Sequence, residues 1–513
     1  MSTSDKISAL SEKSQKVMGC GGEKAVAKQH GLGKKTARER IDLLMDPGSF
    51  QEIDRFVTHR CTEFGLGDKE IPADGVVTGY GTIDGRTVCV YAQDFTALGG
   101  TMSEMCSKKI CKIMDMADQI GAPVVGLPDS GGARIQEGVD ALAGYGEIFY
   151  RNSVYSGRVP QISVIMGPCA GGASYSPALT DLIIMVEGTS QMFITGPAVV
   201  ETITGEVVTS EELGGAYTHG ATSGVSHLSA STEEEALAYV RKALSYLPSS
   251  SQSKAPNLPY DGGDELRAAL NDIVPDNSRM PYDIKDVIAE LTDPDSFFEL
   301  QPLFADNIIT GFARIGGRSV GIVANQPYSL GGCLDINASD KGARFIQLCD
   351  TFNIPLINLV DVPGFLPGVD QEHQGIIRHG AKLLFAYSVA EVPKITAILR
   401  KAYGGSYLAM CSKELGADLV LAWPTASIAV MGAEGAANII FRKEIAAAED
   451  QEAKRAEMID VYSSRFATPY IAASRGYVDM VIAPAETRAQ ILSALDILET
   501  KQRRTRLRGN MPL

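Results

Sequence analysis

TGYGTIDGRTV, residues Thr78 to Val88, returns farther along the chain as TGFARIGGRSV, Thr310 to Val320, with six identities in eleven positions at an offset of 232. The same offset pairs Gly99-Gly100 with Gly331-Gly332, Lys109 with Lys341, Asp118 with Asp350, Pro123 with Pro355 and Asp129 with Asp361. At offset 233 the match runs on through Val159-Pro160 and Val392-Pro393 to Gly171-Gly172 and Gly404-Gly405. Upstream, DPGSF at Asp46 to Phe50 reappears as DPDSF at Asp293 to Phe297 with offset 247, so the first copy holds about fifteen extra residues between Thr58 and Ala73. An offset held over such a length is the signature of duplication. The chain therefore reads as two homologous halves, 1–260 and 261–513. Between them Pro248 to Gly263, PSSSQSKAPNLPYDGG, is too rich in Ser, Pro and Gly to continue a helix or a central strand.

Each half repeats one pattern. Val88 to Ala92 and Val320 to Ala324 read as buried strands, and Ser103 to Ile120 and Ser339 to Phe352 carry apolar residues at helical spacing. Pro123 to Leu127 and Pro355 to Val360 are second strands, ending in the turns Asp129-Ser130-Gly131-Gly132 and Asp361-Val362-Pro363-Gly364. Third strands, Gln161 to Met166 and Lys394 to Leu399, lead into Cys169-Ala170-Gly171-Gly172-Ala173 and Ala402-Tyr403-Gly404-Gly405-Ser406. Strands alternating with helices make the fold class α/β, twice over.

Composition narrows the function classes. With 45% hydrophobic and 21% charged residues the chain is an ordinary globular protein, and 513 residues on their own would suggest roughly three domains. A net charge of -15 argues against nucleic acid or a membrane surface as a general partner. MSTSDKIS at the start lacks a charged-then-apolar signal pattern and no stretch of about 18 uninterrupted apolar residues occurs, so a cytoplasmic location is expected. The nine cysteines include no CxxC pair and the six histidines no HExxH; Cys106 and Cys111 read as helix-face or core thiols, and His373 and His379 do not stack on one helical face. Neither a metal site nor a structural disulfide is expected. Glycine stands out, 52 of 513 or about 10% against a usual 7%, with no low-complexity tract to absorb it.

The glycine pairs after the third strands are the places for chemistry. A Gly-Gly just before a helix offers backbone N–H groups at the positive end of the helix dipole, an oxyanion hole for charge developing on a thioester carbonyl. The alternative is tight strand-to-helix packing, for which Gly pairs are equally suited. GGASYS is not GxSxG, and no GxGxxG after a strand or GxxxxGK[ST] is present, so a serine hydrolase or a nucleotide site lacks its signature.

DSGGARIQ at Asp129 to Gln136, GPCAGGASYSPALTD at Gly167 to Asp181, MFITGP at Met192 to Pro197, DVPGFLPG at Asp361 to Gly368, IIRHGAK at Ile376 to Lys382 and RKAYGGSYLAM at Arg400 to Met410 resemble the carboxyltransferase subunits of biotin-dependent acyl-CoA enzymes. That group holds methylmalonyl-CoA decarboxylase alpha, transcarboxylase large and propionyl-CoA carboxylase beta subunits. KKTARERIDLLMDP near the start and PYIAASRGYVDMVIAP near the end extend the likeness over nearly the whole chain. The resemblance implies two crotonase-like domains in tandem and a homohexamer built from dimers, with the site between the first half of one subunit and the second half of its partner. It implies Gly171 and Gly172 as the oxyanion pair for the thioester of the acyl-CoA and Gly405 and Ser406 as the pair for the biotin ureido oxygen, with Gly131, Gly132, Ala133 and Leu408 as substrate-binding residues. Biotin would arrive on a separate carrier protein, because the chain has no AMKM-like attachment motif, and no metal is implied. Partners would include a membrane decarboxylase, transcarboxylase or biotin carboxylase subunit, through which the protein could sit on a membrane complex.

Leu408 stands where acyl-CoA carboxylases often carry Asp, which favours the decarboxylase and transcarboxylase members over the carboxylase, or is a neutral packing difference. KKTARER at Lys34 to Arg40 is either a coenzyme A phosphate neutraliser or a solvated helix face. Arg465 to Asp479 suits oligomer packing as well as chemistry, and Glu444 to Asp460 reads as an exposed helix. A crotonase-type hydratase or isomerase would need an acidic residue beside the Gly pair, and a non-catalytic scaffold is the third alternative.

Overall fold

A computed structural model describes residues 2–262 and 265–502. It divides into two compact units, one up to Lys254 and one from Ala255.

In the first unit the strands are β1 (Gln51–Ile53), β2 (Val76–Ile83), β3 (Arg86–Gln93), β4 (Val124–Leu127), β5 (Gln161–Ile165), β6 (Pro168–Ala170), β7 (Leu182–Val186), β8 (Gln191–Phe193) and β9 (Leu228–Ala230). Its main helices are α1 (Ala37–Leu44), α2 (Glu104–Ile120), α3 (Val139–Tyr155), α4 (Gly172–Ala178), α5 (Pro197–Thr204) and α6 (Glu233–Tyr246). A seven-stranded sheet runs β1-β2-β3-β4-β5-β7-β9, antiparallel from β1 to β3 and parallel from there on, while β6 pairs only with β8. The central parallel strands β4, β5 and β7 are fully buried, as strands covered on both faces must be.

The second unit has β10 (Phe298–Leu300), β11 (Ile308–Ile315), β12 (Arg318–Asn325), β13 (Leu356–Val362), β14 (Lys394–Tyr403), β15 (Leu419–Ala422), β16 (Ser427–Ala429) and β17 (Met480–Val481). Its main helices are α7 (Ile284–Leu291), α8 (Ile336–Thr351), α9 (Ile376–Val389), α10 (Gly404–Ala409), α11 (Ala433–Ile440) and α12 (Thr487–Leu498). The order β10-β11-β12-β13-β14-β15-β17 repeats the first unit, with β16 on β14 as β8 is on β6. β14 runs unbroken to Tyr403, past the Leu399 limit read from the sequence, where the first unit interrupts the same path at Met166 and Gly167.

The duplicated motifs take equivalent places. In each unit the opening hairpin turns on two residues with positive φ, Asp84-Gly85 (φ 50° and 76°) and Gly316-Gly317 (φ 59° and 76°), as a type I′ turn demands. The aspartate of DPGSF or DPDSF caps that turn: Asp46 accepts from the N–H groups of Asp84 and Gly85 at 3.0 and 2.9 Å, and Asp293 from those of Gly316 and Gly317 at 2.9 and 2.7 Å. The Gly85 N–H, with Thr82 Oγ1 and the Asp84 N–H, holds the Asp46 carboxyl far below the usual carboxylate range. Such a group stabilises the fold above its unfolded-state pKa of about 4, and that stability is lost as pH falls toward its folded pKa. Asp46→Asn should therefore lower stability at neutral pH and flatten its loss below about pH 4; chemical denaturation at a series of pH values checks this.

Lys109 and Lys341 are buried at equivalent positions on α2 and α8. Lys109 Nζ donates to Ala73 O at 2.8 Å and to Val76 O, and Lys341 Nζ to Gln301 O and Phe304 O at 2.9 and 2.8 Å. Burial pushes the two ammonium groups down to about 8 and about 7. Lys109 thus satisfies carbonyls of the turn before β2 and of its first residue, and Lys341 those of the loop after β10.

Candidate active site

In each unit two turns meet at the carboxyl ends of the parallel strands, the usual place for a site in an α/β sheet. In the first unit the turn after β4 lies beside β6: Ser130 bridges Cys169 in parallel register, and the Ser130 N–H donates to Pro168 O at 2.8 Å. A Cβ on Gly132 (φ +99°) would stand 3.1 Å from Ala170 O, so the two segments run in close contact up to Ala133 and Gly171.

Accounting for the backbone donors identifies the free ones. Gly131 N–H donates to Gly99 O at 3.0 Å, Gly132 N–H to Ser130 Oγ at 3.1 Å and Arg134 N–H to Met102 O at 2.8 Å. Ala133 is the bridge partner of Met102 in a parallel ladder, whose bonds go to the residues on either side of it, so its own N–H faces away from Met102. Gly171 has φ +60° and ψ -123°, a conformation that favours glycine, and its N–H donates to Phe193 O at 3.0 Å. Gly171 thus shapes the turn; its N–H is already spent. α4 begins at Gly172, and because Ser174 N–H turns back to Gly171 O at 3.0 Å, the first-turn N–H groups that the helix leaves over are those of Gly172 and Ala173.

The second unit repeats the bridge that frames Ala133, although Pro363, at the place of Gly131, has no N–H and Val362, at the place of Ser130, no hydroxyl. Leu334 N–H donates to Gly364 O at 3.1 Å and Leu366 N–H to Leu334 O at 2.8 Å, so Phe365 occupies the position of Ala133. Val362 pairs with Ala402 as Ser130 does with Cys169, and Gly404 has φ +59° as Gly171 has +60°. Gly405 and Ser406 follow, equivalent to Gly172 and Ala173. The two glycine-containing pairs read from the sequence, Gly171-Gly172 and Gly405-Ser406, are therefore one residue out of step with each other. Gly405 is exposed, and a Cβ there would meet nothing within 4 Å. Ser406 is buried with Oγ donating to Tyr403 O at 2.8 Å, and Leu408 lies exposed on the same helix.

Buried ion pairs fix these turns. Arg134, next to Ala133, is fully buried and holds Asp74 at 2.6 Å and Glu137 at 2.9 Å. Asp129 receives Lys34 Nζ at 2.8 Å and Arg40 at 2.9 Å, and Arg40 also holds Glu233 at 2.6 Å. Both cations come from KKTARER. Its remaining charges are matched too, Lys35 with Glu234 at 2.5 Å and Arg38 with Glu52 at 2.8 Å. The segment is neither a solvated face nor a free phosphate clamp: Lys34 and Arg40 are interior counter-ions. In the second unit Arg400 Nε holds Asp361 at 2.9 Å, and Lys401 N–H donates to the same carboxylate at 3.0 Å. Arg400 is the equivalent of Gly167, where a Cβ would stand 2.0 Å from Asp129 Oδ1 and 2.5 Å from Lys34 Nζ. The cation thus enters from the strand in one half and from the N-terminal segment in the other.

The upstream pairs Gly99-Gly100 and Gly331-Gly332 serve packing. Cβ atoms on Gly100 and Gly332 would come within 2.2 and 2.5 Å of the carbonyl oxygens of Asp129 and Asp361. Sequence reasoning missed Phe365, although the offset of 232 from Ala133 points to it. It also missed Tyr145 on α3, whose ring would be 2.8 Å from a Cβ on Gly172.

Comparison with known proteins sets this geometry in context. Residues 28–511 match the carboxyl transferase domain family. The chain is 60% identical to the methylmalonyl-CoA decarboxylase subunit alpha of Veillonella parvula over 99% of each, and 57% identical to the propionyl-CoA carboxylase carboxyltransferase subunit of Haloferax mediterranei over the full length of both. Among solved structures it superposes, with a TM-score of 0.98 and 55% identity over 100% of this chain and 99% of the other, on a transcarboxylase 12S crystal structure. That structure is described as a hexamer assembly with methylmalonyl-coenzyme A and methylmalonic acid bound.

Proposed function

Because the chain belongs to the carboxyl transferase family, we propose that it moves a carboxyl group between methylmalonyl-CoA and biotin borne on a separate carrier protein, leaving propionyl-CoA. It is a biotin-dependent carboxyltransferase of the methylmalonyl-CoA and propionyl-CoA type. The observation that carries the mechanism is the repeated pair of turns, each with leftover N–H groups from two directions. In the first half the N–H groups of Gly172 and Ala133 hold the thioester oxygen, where negative charge gathers as the carboxyl group departs and an enolate remains. Gly131 and Gly132 shape that wall, and Gly171 sets the angle at which the helix presents Gly172. In the second half Gly405 and Phe365 are the equivalent donors, with Ser406 and Leu408 beside them.

Biotin, when bound, supplies a ureido nitrogen that carries the carboxyl group. The open space at Gly405 and the exposed Leu408 fit the approach of such a planar group. Each half is then a crotonase-like CoA carboxyltransferase domain, 1–260 and 261–513, and the working site forms between the first half of one subunit and the second half of another. Matching exposed apolar residues support a hexamer on the transcarboxylase pattern: Ile194 and Ile203 in one unit, Val430 and Ile439 in the other. Leu408 favours carboxyl donation from methylmalonyl-CoA, with a membrane decarboxylase or transcarboxylase subunit as partner, over the carboxylase direction.

Among the described residues no helix is long and apolar enough to cross a membrane, so membrane attachment would come through partner subunits. Incubated with methylmalonyl-CoA and a biotinylated carrier, the purified protein should yield propionyl-CoA and carboxylated carrier in equal amounts. Turnover of the CoA ester that does not depend on the carrier would point to a hydratase or isomerase, and no turnover of either would overturn the proposal.

A further inference from the structure

Behind the first pair of turns lies a small cavity of about 20 Å³, walled by Met102, Ile110, Tyr145, Ile148, Ala173 and Pro177 among others. That volume is room for one water-sized or methyl-sized group. Two of its walls adjoin the donors: Met102 is the bridge partner of Ala133, and Ala173 directly follows Gly172. Tyr145 joins them, its ring against Gly172 and its buried hydroxyl without a hydrogen-bond partner. Gln93 and Ser176, which also line the cavity, already donate to Gly100 O at 3.0 Å and to Asn152 Oδ1 at 2.9 Å.

We infer that this cavity receives the methyl group on the α-carbon of the acyl-CoA and is what limits the substrate to a one-carbon branch. The inference rests on the carboxyltransferase reading given above. With the thioester oxygen held by Gly172 and Ala133, the α-carbon is one bond from the held carbonyl carbon, and a substituent on it turned toward the fold enters the space between Met102 and Ala173. The cavity fills with one methyl group. A two-carbon branch would have to displace Ile148 or Met102, both almost fully buried.

The test is a comparison of kcat/KM for malonyl-CoA, methylmalonyl-CoA and ethylmalonyl-CoA, each with biotinylated carrier. The wild-type protein should favour methylmalonyl-CoA. Ile148→Ala should raise the ethylmalonyl to methylmalonyl ratio by about 10- to 200-fold, the range one methylene commands in an apolar pocket. Ile148→Val should shift it the same way by less, which keeps the test open where the alanine variant does not fold, and Ile148→Phe should shift preference toward malonyl-CoA. Wild-type protein inactive on all three esters would overturn the carboxyltransferase reading itself. Wild-type protein active on methylmalonyl-CoA, with ratios unchanged in a folded Ile148→Ala or Ile148→Val variant, would overturn the methyl pocket alone and leave a cavity that holds structural water.

Discussion

Replacing Gly405 with valine should lower carboxyl transfer by about 10²- to 10³-fold, the scale set by loss of one oxyanion donor, while the fold and the assembly stay intact. The position allows a clean experiment. Gly405 lies in the first turn of α10 with a φ that any residue adopts, and a Cβ there has no neighbour within 4 Å. A branched side chain therefore costs the fold little, yet occupies the space in front of the N–H that must reach the incoming carbonyl oxygen. Gly172→Val lacks this clarity, because its Cβ would meet the Tyr145 ring at 2.8 Å and a loss of activity could be a loss of packing. Activity, thermal melting and sedimentation of Gly405→Val should be measured together. Full activity in a normally melting, normally assembled variant would remove Gly405 from the site.

Much of this architecture was legible in the sequence, for a definite reason. Duplication writes the same physical constraint twice, so Gly100 and Gly332, which must clear the carbonyls of Asp129 and Asp361, appear at one offset with no other information needed. The hairpin caps Asp46 and Asp293 are found the same way. What composition and spacing do not reveal is which N–H of a glycine pair is free. Gly171 and Gly172 look alike as letters, but one N–H closes on Phe193 and the other opens the helix. Nor does a Lys-Lys-Thr-Ala-Arg run disclose that its charges turn inward, because the carboxylates that neutralise them, Asp129 and Glu233, lie 95 and 193 residues from Lys34 and Arg40 respectively. Phe365 was hidden by its side chain: it resembles Ala133 only in its backbone.

Asp129→Asn should destabilise the protein by about 3–5 kcal/mol, the cost of leaving a buried charge without its counter-charge, and by clearly more than Asp361→Asn. The asymmetry follows from where the cations come from. Asp129 is shared by Lys34 and Arg40, whose side chains are 5% and 1% exposed, and among the described residues Lys34 has no second carboxylate to turn to. Arg40 keeps Glu233, so the unmatched charge is chiefly that of Lys34, which faces the Phe95 ring at 4.6 Å. Among the described residues Asp361 is matched by Arg400 alone of the side-chain cations, and Arg400 retains Met280 O at 2.9 Å and its stacking on Tyr282 when the carboxylate is neutralised. A guanidinium bonded to a carbonyl and lying on an aromatic face tolerates the loss better than an ammonium that has an aromatic face but no carbonyl to bond. Because Asp129 also begins the turn that ends at Ala133, its replacement should lower activity at temperatures where the protein is still folded. Chemical denaturation of both variants, with carboxyl transfer measured well below their transitions, separates the two effects. Equal destabilisation by the two substitutions would mean that Lys34 finds another partner and that Gly167, kept small to admit it, has some other reason to be glycine.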